Sequence, residues 1–300
     1  MIRVKIPATS ANLGPGFDCL GLALQLHNTV TVETKRPFRI TLTGSYQDGI
    51  PADESNLVWK TMCQFWQLIH YPTPSISLTL ENNIPPSRGL GSSSAAIVGG
   101  LVAANTLAGT PYSTLELLQV ANMIEGHPDN VTPALYGGVT LSIPTDRGIL
   151  PRVLTQAPSL KTVVLIPDTP LNTEKARGIL PPDVSRRDAV FNISHVGLLI
   201  EAFMREDFSL LKEGMRDALH QNQRAALIPG MLQTFEAALQ AGAYGAALSG
   251  SGPTLMALIP DGTQNEVSQS MIDMMGQYEI KTQALVLEVD PYGAVSSYIA

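Results

Sequence analysis

The chain has 300 residues, of which 44% are hydrophobic and 15% charged, with a formal net charge of −7. That length and composition bury a substantial core, organised as two domains or one large one, and exclude a disordered polypeptide. The acidic balance argues against a general nucleic-acid or membrane-surface binder, but not against an anionic ligand held locally by backbone amides. Arg3–Ile6, Thr29–Thr34, Arg39–Thr43 and Ser75–Leu80 are β-branched or alternating runs separated by turn residues and read as strands. Between the last two, Asn56–His70 places Val58, Met62, Phe65, Trp66 and Ile69 at helical spacing. Ser92–Leu107 and Thr114–Glu125 read as helices, and Gly137–Ile143 returns to strand. Residues 144–160 are rich in Pro, Thr and Gly and mark a domain boundary. Beyond it the pattern predicts a strand over Lys161–Ile166 and helices over Arg187–Arg205, Phe208–Leu219 and Met231–Ala241. Strands follow over Ala246–Leu248 and Thr254–Ile259, then a helix over Gln264–Gly276 and a strand over Gln283–Val289. Apart from its extra helices, this half runs β-α-β-β-α-β, the ferredoxin-like order.

Cys19 and Cys63, the only cysteines, form no CxxC pair or metal spacing and read as reduced thiols. The N-terminus lacks the apolar stretch of a secretory signal, and the most apolar run, Ala95–Ala104, is too short to span a bilayer. The expected location is the cytoplasm, with no membrane partner.

The segment Pro85–Ala95, PPSRGLGSSSA, carries the most chemistry. It follows a strand and runs straight into a helix of small residues. Gly89 and Gly91 permit backbone conformations and close approaches that a Cβ would block. The serines Ser92, Ser93 and Ser94 sit where the helix begins, so free N–H groups and the positive end of the helix dipole converge there. A triphosphate can be held by such an arrangement, and the hydroxyls add donors and a potential Mg²⁺ ligand. The competing reading is a Gly/Ser linker or an ordinary N-cap. A linker would not continue into AAIVGGLVAA, however, and Gly99 and Gly100 inside that helix each cost about 1 kcal/mol against Ala, which calls for close packing there. The loop is not a Walker A motif, since no Gly-Lys-Ser/Thr follows.

Read alone, other segments stay ambiguous. Asn12 and Asp18 flank a Gly-Pro-Gly turn and could simply hydrogen-bond their own backbone. Gly245–Thr254, GAALSGSGPT, could be a tight hairpin between buried strands. Glu125 could be a surface carboxylate, or one of the few carboxylates Mg²⁺ takes beside phosphate oxygens. His127, Asp129 and Asn130 lie in a Pro-containing turn. Thr173 and Arg177 share one helical face if their segment is helical, and they, like Arg224, could belong to a solvated surface. His27, His70, His195 and His220 show no ligand spacing and receive no role.

The Pro85–Ala95 loop resembles the second motif of the GHMP kinases. Ala8–Asp18 is similar to their N-terminal motif, and Gly245–Thr254 to their Gly-rich third motif, in the same order. Glu125–Pro133 and the N-terminal motif resemble the homoserine-phosphorylating branch, and the matches span residues 3 to 254. The resemblance implies an α+β, two-domain fold: a ribosomal-protein-S5-domain-2-like αβ domain over residues 1–155 and a ferredoxin-like domain over 156–300. It implies ATP as phosphoryl donor, held by Asn56, Pro86, Ser87, Arg88, Gly89, Leu90, Gly91, Ser92, Ser93 and Ser94, with Mg²⁺ on Ser93 and Glu125. It places Asn12, Asp18, His127, Asn130, Thr173, Arg177, Arg224 and Gly250 at the substrate, L-homoserine, with Asp18 toward the ammonium and the two arginines toward the carboxylate. It also implies a homodimer. Galactokinase and mevalonate kinase use an Asp as base, whereas no base is assigned here. The alternatives are a related kinase acting on mevalonate or a sugar, and a non-catalytic nucleotide-dependent sensor.

Overall fold

The computed structural model describes residues 1–299. Alternation builds the first strand: in β1 (Ile2–Ala11) Ile2, Val4 and Ile6 face inward while Arg3 and Lys5 face solvent, and from Ile6 onward every residue is buried. β1 pairs antiparallel with β2 (Leu20–Thr34), a long strand that also pairs with β4 (Ile76–Glu81) through its C-terminal half. β3 (Arg39–Thr43) runs parallel to β4 at the edge. The N-terminal end of β2 pairs with β5 (Val139–Thr145), which forms a hairpin with β6 (Gly148–Thr155). β6 lay inside the expected boundary segment because Pro151 reads as a breaker. As β6 pairs only with β5, its free edge tolerates a proline.

α2 (Ser92–Leu107) packs on this sheet, and α1 (Leu57–Leu68) packs against α2. α1 buries Val58, Met62, Phe65 and Trp66, with Ile69 packed just beyond its end. α2 is enclosed on nearly all sides. Gly99 and Gly100 answer the packing demand read from the sequence. A Cβ on Gly99 would stand 2.9 Å from Cδ1 of Ile6, and one on Gly100 2.8 Å from the carbonyl oxygen of Val58. The indole N–H of Trp66 donates to Ala104 O at 3.2 Å and ties α1 to α2. Removing a ring this large from the core costs about 3–5 kcal/mol.

α3 (Thr114–Glu125) opens on a capping box between Ser113 and Glu116 and closes on Gly126 at φ 89°. The Pro-containing turn expected at 127–133 is instead the start of α4 (Pro128–Tyr136). Pro128 occupies the first turn, where no N–H is needed. Pro133 leaves the Asp129 carbonyl without its helical partner, and β2 approaches that carbonyl so closely at Gly21 that no Cβ would fit.

The chain crosses to a second sheet between Thr155 and Lys161. Its four strands are β7 (Lys161–Pro167), β8 (Gly245–Leu248), β9 (Leu255–Ile259) and β10 (Thr282–Leu287), in the order β10-β7-β9-β8 and all antiparallel. Between β7 and β8 come α5 (Thr173–Gly178), α6 (Arg186–Arg205), α7 (Leu211–Gly214), α8 (Gln221–Arg224) and α9 (Met231–Gln240); α10 (Gln264–Gly276) joins β9 to β10. This is the ferredoxin-like order with helices inserted. Val163, Leu165, Leu255 and Ala257 pack with Phe235 and Met271 on one face. Val164, Ala247, Met256 and Leu258 face the other way, into a core continuous with the first domain.

Two departures matter for the site. The helix expected over Phe208–Leu219 breaks after Gly214, because Asp217 captures the amides of Leu219, His220 and Gln221 at 2.8–3.0 Å and starts α8 afresh. The last strand, β11 (Val295–Tyr298), returns to the first sheet and pairs with β1. Asp290 secures that return by accepting from Tyr292 N and Gly293 N and meeting His27 Nε2 at 2.7 Å.

Candidate active site

Three Gly-rich loops meet where the two sheets face each other. The loop before α2 carries Gly89 at φ 77° and Gly91 at φ 68°, the latter in the left-handed cap position of the helix. A Cβ on Gly89 would collide with the carbonyl oxygen of Ser249, and one on Gly91 with the hydroxyl of Thr9. The Ser249 hydroxyl donates to Gly89 O at 2.6 Å, and Gly250 N donates to Ala11 O at 3.1 Å. Asn12 Nδ2 donates to Gly250 O at 3.0 Å, while its Oδ1 accepts from the amide of Asp18. The glycines therefore allow backbone to approach backbone from both domains.

The loops wall a cleft of about 810 Å³. At one end lie Asn56, Pro86, Ser87, Arg88, Gly89, Gly91, Ser92, Ser93 and Ser94, with the amides of the first turn of α2. Asn56 caps α1, its Oδ1 accepting from Val58 N at 2.9 Å. Arg88 Nε donates to Pro167 O at 2.9 Å, which fixes the loop to the end of β7. Leu90 is the exception in this run: its side chain is fully buried, and only its carbonyl is used, accepting from Thr9 N. Glu125, the last residue of α3, enters from the side. The hydroxyls of Ser93 and Ser94 both donate to its Oε1, at 2.8 and 2.7 Å.

At the other end lie Asn12, His127, Asp129, Asn130, Thr173, Arg177, Arg224 and Gly250. His127 Nδ1 lies 3.2 Å from Asp129 Oδ1, and that hydrogen bond raises the imidazole pKa above its usual range. Asn130 Nδ2 donates to the same oxygen at 3.3 Å and its Oδ1 accepts from Thr9. Thr173 and Arg177 do share one face of a helix, α5, and Thr173 Oγ1 lies 3.1 Å from Ser251 Oγ. Asp18 does not line the cleft; it sits behind Arg177, whose two Nη groups grip its carboxylate at 3.1 and 2.6 Å.

Arg224 is a fully buried cation. Nε donates to Ala176 O at 3.1 Å and Nη1 to Gly250 O at 3.2 Å, and Nη1 also lies 3.1 Å from His220 Nδ1. Burial, and then the neighbouring Arg177, push its pKa down to about 10, so it stays charged at neutral pH. Both guanidinium groups lie over the Phe17 ring, 5.4 Å for Arg224 and 5.6 Å for Arg177. Phe17 and His220 were not singled out by the sequence. His220 stands four residues before Arg224, which puts both on one helical face, but nothing in that spacing tells that the pair is buried.

A helix N-terminus open to one interdomain cleft, an acid beside it and a buried guanidinium with no carboxylate partner among the described residues are the arrangement of a small-molecule phosphotransferase. The chain belongs to the GHMP kinase family: the family models for the GHMP kinase N-terminal and C-terminal domains match residues 56–138 and 199–276. It is 55% identical to a homoserine kinase of Desulfitobacterium hafniense, over 98% of this chain and 99% of the relative. A homoserine kinase of Microchaete diplosiphon is 43% identical over 98% and 97%. The crystal structure of homoserine kinase from Cytophaga hutchinsonii superposes with a TM-score of 0.87 at 31% identity, covering 99% of this chain and 97% of that one. A mevalonate kinase of L. major shares the fold at 16% identity and TM-score 0.73, covering 95% of each chain.

Proposed function

We propose that this protein transfers the γ-phosphoryl group of ATP to the side-chain hydroxyl of L-homoserine, giving O-phospho-L-homoserine for threonine biosynthesis. The hydroxyl oxygen forms the new bond to phosphorus, the bond from phosphorus to the bridging oxygen breaks, ADP leaves and the hydroxyl proton is lost. The observation that carries the reading is one cleft holding the first turn of α2 at one end and Arg177 with Arg224 at the other. The relatives named above support homoserine as acceptor.

The amides of α2 and the Gly89–Gly91 backbone would hold the phosphates, with Asn56 toward the nucleoside side. One carboxylate with neighbouring hydroxyls is a donor set that suits Mg²⁺ once phosphate oxygens complete it, and Glu125 with Ser93 provides it. The ion would neutralise charge developing on the phosphoryl oxygens. For the amino acid, Arg177 and Arg224 are the groups for the carboxylate, and Asp18, which Arg177 holds behind the cleft wall, is the group for the ammonium once the substrate opens that pair. His127, Asn130, Asn12, Thr173 and Gly250 complete the surrounding wall. No side chain is assigned as base, since positioning and electrostatics supply most of the catalysis in this reaction type.

No helix among the described residues is long and apolar enough to cross a membrane. The two free cysteines support our reading of a reducing, cytoplasmic location. We further propose a homodimer, in which a second copy covers the exposed Val190, Ile193 and Met204 of α6; sedimentation at micromolar concentration tests it. The activity is tested by coupled ADP release. Homoserine with Mg²⁺ should turn over, and serine, threonine and mevalonate should be much poorer. Equal turnover of mevalonate would remove homoserine from the assignment.

A further inference from the structure

Arg224 spends three of its five N–H donors inside the protein. Nε goes to Ala176 O, one Nη1 hydrogen to Gly250 O, and the other points at Nδ1 of His220, 3.1 Å away. Nη2, with two N–H groups, has no acceptor among the described residues. What Nη1 meets at His220 depends on the imidazole tautomer, and the surroundings determine it. His220 is fully buried, and its Nε2 lies 2.8 Å from the carbonyl oxygen of Gly14. A carbonyl can only accept, so the proton resides on Nε2 and Nδ1 carries a lone pair toward Arg224. Burial acts the same way, lowering the imidazole pKa and keeping the ring neutral. Asp217, 3.7 Å from Nε2, is occupied elsewhere by Asn192 and the amides that open α8. The imidazole also packs on Phe17, centroid to centroid 5.2 Å, the ring that carries both guanidinium groups.

From this geometry we infer that His220 is a positioning residue for substrate recognition: Gly14 locks its Nε2–H tautomer, and its Nδ1 holds the Arg224 guanidinium with Nη2 turned toward the substrate anion. The inference rests on the reading of Arg224 as a carboxylate contact. It joins two domains in one chain of bonds, since Gly14 belongs to the loop that carries Asn12 and Asp18 while His220 caps α8 and Arg224 ends it. The guanidinium cannot be held this way by α8 alone.

The test exploits the fact that two amides each copy one half of the imidazole. The Oδ1 of His220→Asn replaces the acceptor toward Arg224, and the Nε2 of His220→Gln replaces the donor toward Gly14. His220→Leu removes both. With homoserine, His220→Leu and His220→Gln should raise KM roughly tenfold or more, the worth of a hydrogen bond to a charged group, while His220→Asn recovers most of it. KM for ATP should stay within about twofold. With an amidated homoserine analogue, which lacks the anion, the three variants should differ little from one another. If His220→Asn and His220→Gln are equally impaired with homoserine, or KM for ATP moves in parallel, the positioning role is overturned. Should His220→Leu fail to fold, the contrast between the two amides decides alone. The wild-type protein gives a readout independent of folding variants: ¹⁵N spectra of labelled histidine should show His220 protonated only on Nε2 near pH 7. A proton on Nδ1 overturns the inference. Arg224→Ala separates the two levels. If it loses equally with homoserine and the amide, the reading of Arg224 fails and this inference with it; if it loses only with homoserine, the His220 comparison stands by itself.

Discussion

Arg177 and Asp18 satisfy each other: two guanidinium nitrogens meet the two carboxylate oxygens at 3.1 and 2.6 Å, across 159 positions of sequence and from different domains. Asp18 raises the pKa of Arg177 further, so the guanidinium stays charged. On the proposed function, a zwitterionic amino acid, which offers the same two charges, exchanges into the pair, its ammonium to Asp18 and its carboxylate to the arginines. Asp18→Asn should therefore raise KM for homoserine by one to two decades, corresponding to about 1.5–3 kcal/mol. Each partner is 35% exposed, so solvent screening keeps the effect on folding stability below about 1 kcal/mol. Steady-state kinetics and a denaturant melt on the same variant check both halves. A large loss of stability with an unchanged KM would make the pair purely structural.

Glu125 lines the cleft and holds two serine hydroxyls on one oxygen, while its other oxygen meets no donor among the described residues. Glu125→Gln keeps a hydrogen-bond acceptor but removes the charge. kcat should fall by two decades or more, since the metal's charge neutralisation is lost, while homoserine binding measured by calorimetry should change little. A normal kcat at ordinary Mg²⁺ concentration would exclude Glu125 as a metal ligand.

Arg224→Lys retains a positive charge, but not the planar set of donors that meets Ala176, Gly250 and His220 at once. With three donors already spent, only the two N–H groups of Nη2 remain for the substrate anion. The substitution should weaken homoserine by about 1.5–3 kcal/mol, one to two decades in kcat/KM, with KM for ATP nearly unmoved. Equal losses for both substrates would indicate a collapsed cleft instead.

Gly91 and Gly109 have similar positive φ, 68° and 84°, but different surroundings. A Cβ on Gly91 would strike Thr9, whereas one on Gly109 meets nothing within 4 Å. Gly109→Ala should cost only the left-handed backbone penalty of about 1–2 kcal/mol. Gly91→Ala should cost more than that and also raise KM for ATP, because Thr9 and the start of α2 must move. Chemical denaturation of the two variants side by side measures the difference.

The hydrogen bond to Asp129, above all, raises the His127 pKa from its ordinary value. A raised folded-state pKa means that the imidazolium stabilises the fold fully below about pH 6.5 and that this contribution is lost as pH rises through the folded value. Asp129→Asn should bring the His127 resonance back toward an ordinary titration in NMR. The stability difference from wild type attributable to this pair should shrink on the alkaline side of that range.

Local chemistry made the Gly/Ser end of the cleft legible. Gly89, Gly91 and the three serines announce a loop entering a helix, and Gly99 with Gly100 announce close packing, because glycine tolerance and helix-end polarity are properties of a few adjacent residues. Period-2 and period-3.6 patterns likewise set most strands and helices of both halves. The substrate end was legible only through resemblance. Thr173, Arg177 and Arg224 read alone as a solvated surface, and whether a charged face is solvated depends on what packs over it.

Three features belonged to tertiary structure alone. Asp217 ended the expected helix over Phe208–Leu219 by capturing amides of the following turn, a competition between side chain and backbone that helical periodicity does not register. The strand Val295–Tyr298 is largely exposed and short, and exists because β1 offers it an unpaired edge. His220 carries no spacing that marks a site, and its meaning comes from a carbonyl 206 residues away that decides which nitrogen bears the proton. The sequence by itself determined most of the elements and the Gly/Ser loop, since those follow from neighbours along the chain. The charges that meet across the cleft were decided by the fold, because burial and partner geometry are set by residues distant in sequence.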